Sequence, residues 1–170
     1  MNADPTTATW PSIGYLVWRL SIKWRTELDR TLEPFDLTSA RYALMASLHG
    51  LSQSGGLPTQ RELADFSGLE PMFVSKLARA LEQAGLIARQ TKADDPRARE
   101  LTLTTNGQAV LDEARAIVSR LEERRLAALG TDDATRHQLG NLLHTLLHQP
   151  LSADAPPDTA GAPAKGQPHP

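Results

Sequence analysis

Lys76 and Arg79 stand three residues apart in a stretch, 71–84, where Val74, Leu77, Ala78 and Leu81 recur at helical spacing. Subtracting that inward row leaves Met72, Phe73, Ser75, Lys76 and Arg79 on the outward side. Such a surface has the chemistry needed to read a DNA duplex. Lys and Arg pair with guanine or neutralise phosphate, Ser bonds to base edges or phosphate, and Met or Phe touches a thymine methyl. Phe73 has a second reading, as a ring partly buried beside that row. Upstream, Thr59-Gln60-Arg61-Glu62 spells a capping box. The amides that open such a helix, with the Thr59 and Gln60 side chains, suit a phosphate.

Other chemistries find no foothold. There is no Cys, which removes disulfides, thiolate redox switches and Cys-ligated zinc together. No GxSxG, P-loop or HExxH pattern occurs, so the expectation is a protein that is not an enzyme and carries no cofactor. His137, His144 and His148 share one helical face, and the last two have the i, i+4 spacing that can hold zinc. With no carboxylate or Cys nearby to complete a site, they read as solvated side chains and no metal is expected.

The elements that must position the reading residues follow from apolar period and caps. Residues 12–33 carry Ile13, Leu16, Val17, Leu20, Trp24 and Leu28 on one stripe, with Tyr15, Trp18 and Ile22 on the other side. A helix with two apolar faces needs two partners, which suggests a subunit contact. Pro11 suits the first position of this helix. Thr38 caps a second helix, with Tyr42, Leu44, Met45 and Leu48 inward and Gly50 as its stop. The capping box opens a short helix to about residue 67, and Gly68-Leu69-Glu70-Pro71 turns into the helix that carries Lys76 and Arg79. Two helices joined by a Gly-containing turn, with small Ala64 available at their crossing, outline a helix-turn-helix. Strand-like runs at 86–91 and 99–103 around a polar tip add a hairpin, making the motif winged. Thr105 and Gly107 precede a helix bearing Val110, Leu111, Ala114, Ile117, Val118 and Leu121. Thr131-Asp132-Asp133 caps a last one with Leu139, Leu142, Leu143, Leu146 and Leu147 on one side.

The fold class expected is mainly α with a small β-hairpin wing: a winged helix-turn-helix head between long terminal helices. Its 170 residues allow one ordinary core with appendages. The net charge of −2 excludes a polybasic coat. Within 58–105, seven basic residues (Arg61, Lys76, Arg79, Arg89, Lys92, Arg97, Arg99) meet seven acidic ones (Glu62, Asp65, Glu70, Glu82, Asp94, Asp95, Glu100), so any positive field comes from placement. Residues 1–10 read as flexible and 149–170 as a disordered Pro/Ala-rich tail. Neither a signal peptide nor a spanning segment is indicated, so a cytoplasmic location without membrane contact is expected.

At this point the chain resembles the MarR (multiple antibiotic resistance regulator) family of bacterial transcription factors. Three stretches carry the likeness: Thr59-Gln60-Arg61-Glu62-Leu63-Ala64, Leu81-Glu82-Gln83-Ala84-Gly85-Leu86-Ile87-Ala88-Arg89, and Asp95-Pro96-Arg97-Ala98-Arg99-Glu100-Leu101-Thr102-Leu103-Thr104. It spans about 11–148. Pro96 departs from it, standing where the family usually has Arg, and Phe73 stands where the family position is small or polar. The resemblance implies dimerisation helices at about 11–35 and 106–148 around a DNA-binding head at about 38–104. It also implies a homodimer on a pseudo-palindromic operator of double-stranded DNA, repressing until a small ligand loosens the grip. Arg97 would enter the minor groove, with Asp95 orienting it and Arg99 beside it. The implied ligand pocket would draw on Tyr15, Trp18, Arg19, Tyr42 and Met45, an aromatic wall with a guanidinium that suits a planar anionic aromatic compound. Trp18, Tyr42 and Met45 also read simply as core. The alternatives are an effector-independent regulator or activator, and a winged-helix protein-interaction module that no longer binds DNA.

Overall fold

A side chain that accepts an orphan amide decides where each of the first helices begins. In the computed structural model, which describes residues 11–53, 55–92, 95, 97–130 and 132–149, the Ser12 hydroxyl accepts the Tyr15 amide at 3.3 Å. Helix α1 (Ile13–Leu32) therefore starts after Ser12, and Pro11 precedes the cap instead of opening the helix. A 3-10 turn (Glu33–Phe35) and left-handed Asp36 (φ 52°) reverse the chain. The Asp29 carboxylate then accepts the Ser39 amide at 2.6 Å and the Thr38 hydroxyl accepts that of Arg41 at 3.3 Å, so α2 (Ser39–Gln53) is anchored to α1 at its first residue. The stop expected at Gly50 does not occur. Leu51 packs on the core and the Ser52 hydroxyl donates to the Leu48 carbonyl, which together outweigh the roughly 1 kcal/mol that Gly costs inside a helix.

Helices α3 (Gln60–Ser67) and α4 (Pro71–Gln83) form the helix-turn-helix, joined through Gly68, whose φ of 65° ends α3. Strands β1 (Ile87–Thr91) and β2 (Arg99–Leu103) pair antiparallel, with Ile87 opposite Leu103 and Thr91 opposite Arg99. Thr59 bridges to Glu100, and the Leu101 amide donates to the Pro58 carbonyl at 2.9 Å, so the wing is tied to the start of α3. The core beneath them is fully buried Leu44, Met45, Leu48, Leu63, Val74, Leu81, Leu101 and Leu111.

Helix α5 (Thr105–Leu126) begins earlier than expected, with Thr105 and Gly107 inside it. The cap is Thr104: its hydroxyl accepts the Gly107 amide at 2.9 Å and donates to the Gly85 carbonyl at 2.7 Å, while its amide donates to the Leu86 carbonyl at 3.0 Å. This clasp holds the end of the α4 turn against the first turn of α5. It also explains the buried glycine, because a Cβ at Gly107 would run into the Leu86 carbonyl oxygen.

The chain divides between Arg125 and Leu126 into two units. The second contains α6 (Asp133–His148), capped by Asp132, which accepts the Ala134 amide at 3.0 Å. None of its residues is buried. The flexible N-terminus and the tail expected from sequence fall on 1–10 and 150–170, outside the described residues, as do Asp94 and Pro96 of the hairpin tip and Thr131 of the last cap. No helix among the described residues is long and apolar enough to cross a membrane.

Replacing Gly107 with Ala forces backbone apart at the clasp and is expected to lower unfolding free energy by about 1–3 kcal/mol. Urea denaturation followed by circular dichroism reads this directly, and an unchanged midpoint would refute the clasp.

Candidate nucleic-acid interface

Pro71 opens α4, and the row Val74, Leu77, Ala78 and Leu81 is drawn into the core. With about 100° between successive residues, the side opposite that row is Met72, Ser75, Lys76 and Arg79. Met72 is 84% exposed, and Lys76 and Arg79 are exposed as well. Gln83, one turn beyond Arg79, joins the same concave surface. Sequence subtraction stopped at Arg79, although the i+4 spacing was available to extend it. Phe73 lies about a quarter turn away from the centre of this row. It lines that concave surface and also a separate cleft.

At the wing, the Asp95 carboxylate accepts the Arg97 amide at 3.0 Å, and the Ala98 amide donates to the Asp95 carbonyl at 2.9 Å. Asp95 thus shapes the backbone of the tip, leaving the exposed Arg97 side chain to project from it. Arg99 donates across the hairpin to the Thr91 hydroxyl. Of the basic residues in the head, Arg89 is the one paired among the described residues. Its Nε donates to Glu82 at 2.7 Å at the base of the wing, which takes Arg89 out of the positive field.

Thr59 and Gln60 open α3 as the spacing predicted. The Thr59 hydroxyl accepts the Glu62 amide at 3.2 Å and donates to the Glu62 carboxylate at 2.8 Å, and the Thr59 amide donates to that carboxylate at 2.7 Å. These bonds, the backbone one foremost and then the hydroxyl, hold the Glu62 carboxyl below the usual carboxylate range, with the Lys92 charge acting the same way. The box leaves the first α3 amides without a side-chain partner, while the Gln60 side-chain amide nitrogen is enclosed and has no partner among the described residues.

The five residues named for a ligand do not converge. Tyr15, Trp18 and Arg19 cluster on the exposed first turns of α1, with rings 5.9 Å apart and the Arg19 guanidinium donating to the Tyr15 hydroxyl at 3.4 Å. Met45 is fully buried core. Tyr42 is half-buried, and that burial raises its phenol pKa, with the Arg115 charge opposing and the Glu122 charge reinforcing the shift. The cleft that does open between helices and head lies further along α1. Ser21, Trp24, Arg25 and Leu28 of α1, Ser39, Ala40 and Ala43 of α2, and Leu69 and Phe73 enclose about 490 Å³. Because Trp24 and Leu28 continue one apolar stripe, the sequence reads them only as packing; that they line open space depends on how α1 leans on α2.

A family model described as the MarR family matches residues 37–98. An HTH-type transcriptional regulator of Bacillus subtilis, YdcH, is 33% identical over 117 residues, 69% of this chain and 80% of that protein. The chain belongs to the MarR family. The HTH-type transcriptional repressor Rv2887 of Mycobacterium tuberculosis is 35% identical over 117 residues, 69% of this chain and 81% of that one. Among solved structures, the S. aureus MepR–DNA complex superposes with a TM-score of 0.72 at 26% identity, covering 81% of this chain and 97% of that one. The winged-helix fold of this MarR-family transcriptional regulator is shared with that solved structure.

The capping box has a pH signature. Because the folded-state pKa of Glu62 lies below its unfolded value, the stability it contributes is present above about pH 4.3 and is lost as pH falls through the depressed value. Glu62→Gln is therefore expected to be less stable than wild type near neutrality, with the gap closing below about pH 4. Thermal melts across that range check it; a gap independent of pH would remove the ionised carboxylate from the account.

Proposed function

We propose that this protein is a homodimeric, sequence-specific DNA-binding regulator, a repressor that leaves a pseudo-palindromic operator when a small planar aromatic anion binds. It reads DNA and transforms no substrate. The observation that carries the reading is the outward row on α4, with Met72, Lys76, Arg79 and Gln83 exposed and Ser75 half-buried, together with the exposed Arg97 at the wing tip. Lys76 and Arg79 serve guanine or phosphate, Gln83 suits adenine, and Met72 suits a thymine methyl in the major groove. Arg97 reaches for the minor groove, where narrow A·T tracts deepen the negative potential.

Two heads are needed to span successive grooves about one helical turn apart, and the apolar surface of α1 and α6 supports a second copy. Ile13, Leu16, Val17, Trp18, Leu20 and Ile22 on α1, and Leu142, Leu143, Leu146 and Leu147 on α6, are all at least 40% exposed in the single chain. The reading therefore expects a dimer by sedimentation and two protomers per duplex. In fluorescence anisotropy with a duplex selected by the protein from a random-sequence pool, Arg97→Ala should weaken binding by about 1–3 kcal/mol. Lys76→Ala, if it holds phosphate, should lower the slope of log affinity against log salt by about one. Failure of any duplex to be selected over random DNA would sink the reading.

The effector part rests on the cleft beside Phe73. Its volume is in the range of small-molecule sites, its walls are Trp24, Leu28, Leu69 and Phe73, and Arg25 is its cation. An aromatic carboxylate fits that combination, with Arg25 in the role that the resemblance gave to Arg19. Titrating 4-hydroxybenzoate into the DNA complex is expected to release the protein at up to millimolar concentration, and Arg25→Ala to abolish release while DNA binding persists. No release from wild type would leave an effector-independent regulator.

A further inference from the structure

We propose that Phe73 is a side chain shared by the effector cleft and the DNA-reading surface, so that occupancy of either site repositions one phenyl ring seen by the other. The inference rests on the functional reading above and supplies its regulatory contact. Phe73 lines both the cleft with Trp24, Arg25 and Leu28 and the reading surface with Met72, Lys76 and Arg79. It is 41% exposed, an open aromatic ring bordering both surfaces and not a core residue.

Its position on α4 explains this double membership. The inward row Val74, Leu77, Ala78 and Leu81 is pinned, being at most 8% exposed, so the helix is not free to rotate about its own axis. A residue a quarter turn from the outward row then has two staggered directions for its ring, one into the cleft and one toward the groove. Phe73 is in the first turn of α4, where Pro71 opens the helix and a major-groove contact would be made. A ring turned toward a thymine methyl vacates part of the cleft wall. A planar aromatic ligand stacked on the ring in the cleft holds it away from the groove. Coupling between the sites then requires no large domain movement, only a ring whose two positions are favoured by different ligands. Linkage makes the effect reciprocal: whatever factor the effector costs DNA, DNA costs the effector.

Trp24 gives a readout that needs no effector, because it lines the same cleft as Phe73 and lies on α1, away from the reading row. In a protein carrying Trp10→Phe and Trp18→Phe, Trp24 is the single remaining tryptophan. Acrylamide quenching is measured on the free protein and on the protein saturated with a duplex that it has selected. DNA saturation is expected to change the Trp24 quenching constant by about twofold, the Phe73→Ala protein to lose that change, and Phe73→Leu to restore part of it. Each variant is brought to its own DNA saturation, so a weaker affinity does not imitate the loss. A ring that merely packs beside Trp24 would shift the quenching of the free Phe73→Ala protein and leave the DNA-induced change intact. That result overturns the proposal, as does a wild-type complex in which DNA binds and Trp24 does not respond. Absence of selective DNA binding overturns the functional reading itself, and is seen by anisotropy before any quenching is measured.

Discussion

Burial of four side chains on one helix organises the rest of the head. Once Val74, Leu77, Ala78 and Leu81 are taken out of water, the helical period places Met72, Ser75, Lys76 and Arg79 outward and leaves Phe73 on the flank. The surroundings of α4 then serve to keep that orientation. Gly68 ends α3 before it, Gly85 at φ 70° ends the turn after it, and the Thr104 clasp ties that turn to α5. Each device satisfies backbone groups that the ends of short helices would otherwise leave unpaired. The outward row keeps its orientation because the opposite side of α4 is packed, and full burial of one large apolar side chain is worth about 1.5–3 kcal/mol.

Charge in the head is arranged by position rather than by excess. Seven basic and seven acidic residues cancel in 58–105, yet they are not mixed evenly. Glu82 holds Arg89 at the base of the wing, and Glu62 is turned back onto the Thr59 amide, so two of the carboxylates are committed to structure. Lys76, Arg79 and Arg97 are left on the exposed row and tip. The cations of the α4 row and the wing tip thus stay in water while the whole chain keeps a net charge of −2.

The apolar surplus has a different meaning. The first turns of α1 and the last turns of α6 carry large side chains that the single chain leaves in water, alongside a head whose own core is closed. A soluble protein seldom keeps contiguous apolar rows open unless another surface covers them. Two-sided amphipathicity of α1 is thus the feature by which the chain looks beyond its own fold.

How much of this was legible without coordinates follows the range of each interaction. Caps, turns and periodicity are local, so a helix along Ile13–Leu32, the Thr59–Glu62 box, Pro71 at the start of α4 and the hairpin strands could be read from residues near each other in the chain. Family likeness, too, rests on local strings around Gly85 and Asp95. At α1 the misjudged boundary is local, Ser12 capping where Pro11 was expected to open the helix, but at two others a distant group intervened: α2 continues through Gly50 because Leu51 finds the core, and Gly107 belongs inside α5 because the Leu86 carbonyl occupies the space of its missing side chain. Pairing of Arg89 with Glu82 and the convergence of Trp24, Arg25 and Phe73 on one cleft depend in the same way on how elements lean on each other. The sequence by itself determined the elements, the inward face of each helix and hence which residues of α4 point outward, because those are set by a periodicity of 3.6 residues and by bonds spanning three or four. Only the tertiary structure decided which charges remain free and where the open space lies, because both depend on distances between residues far apart in the chain.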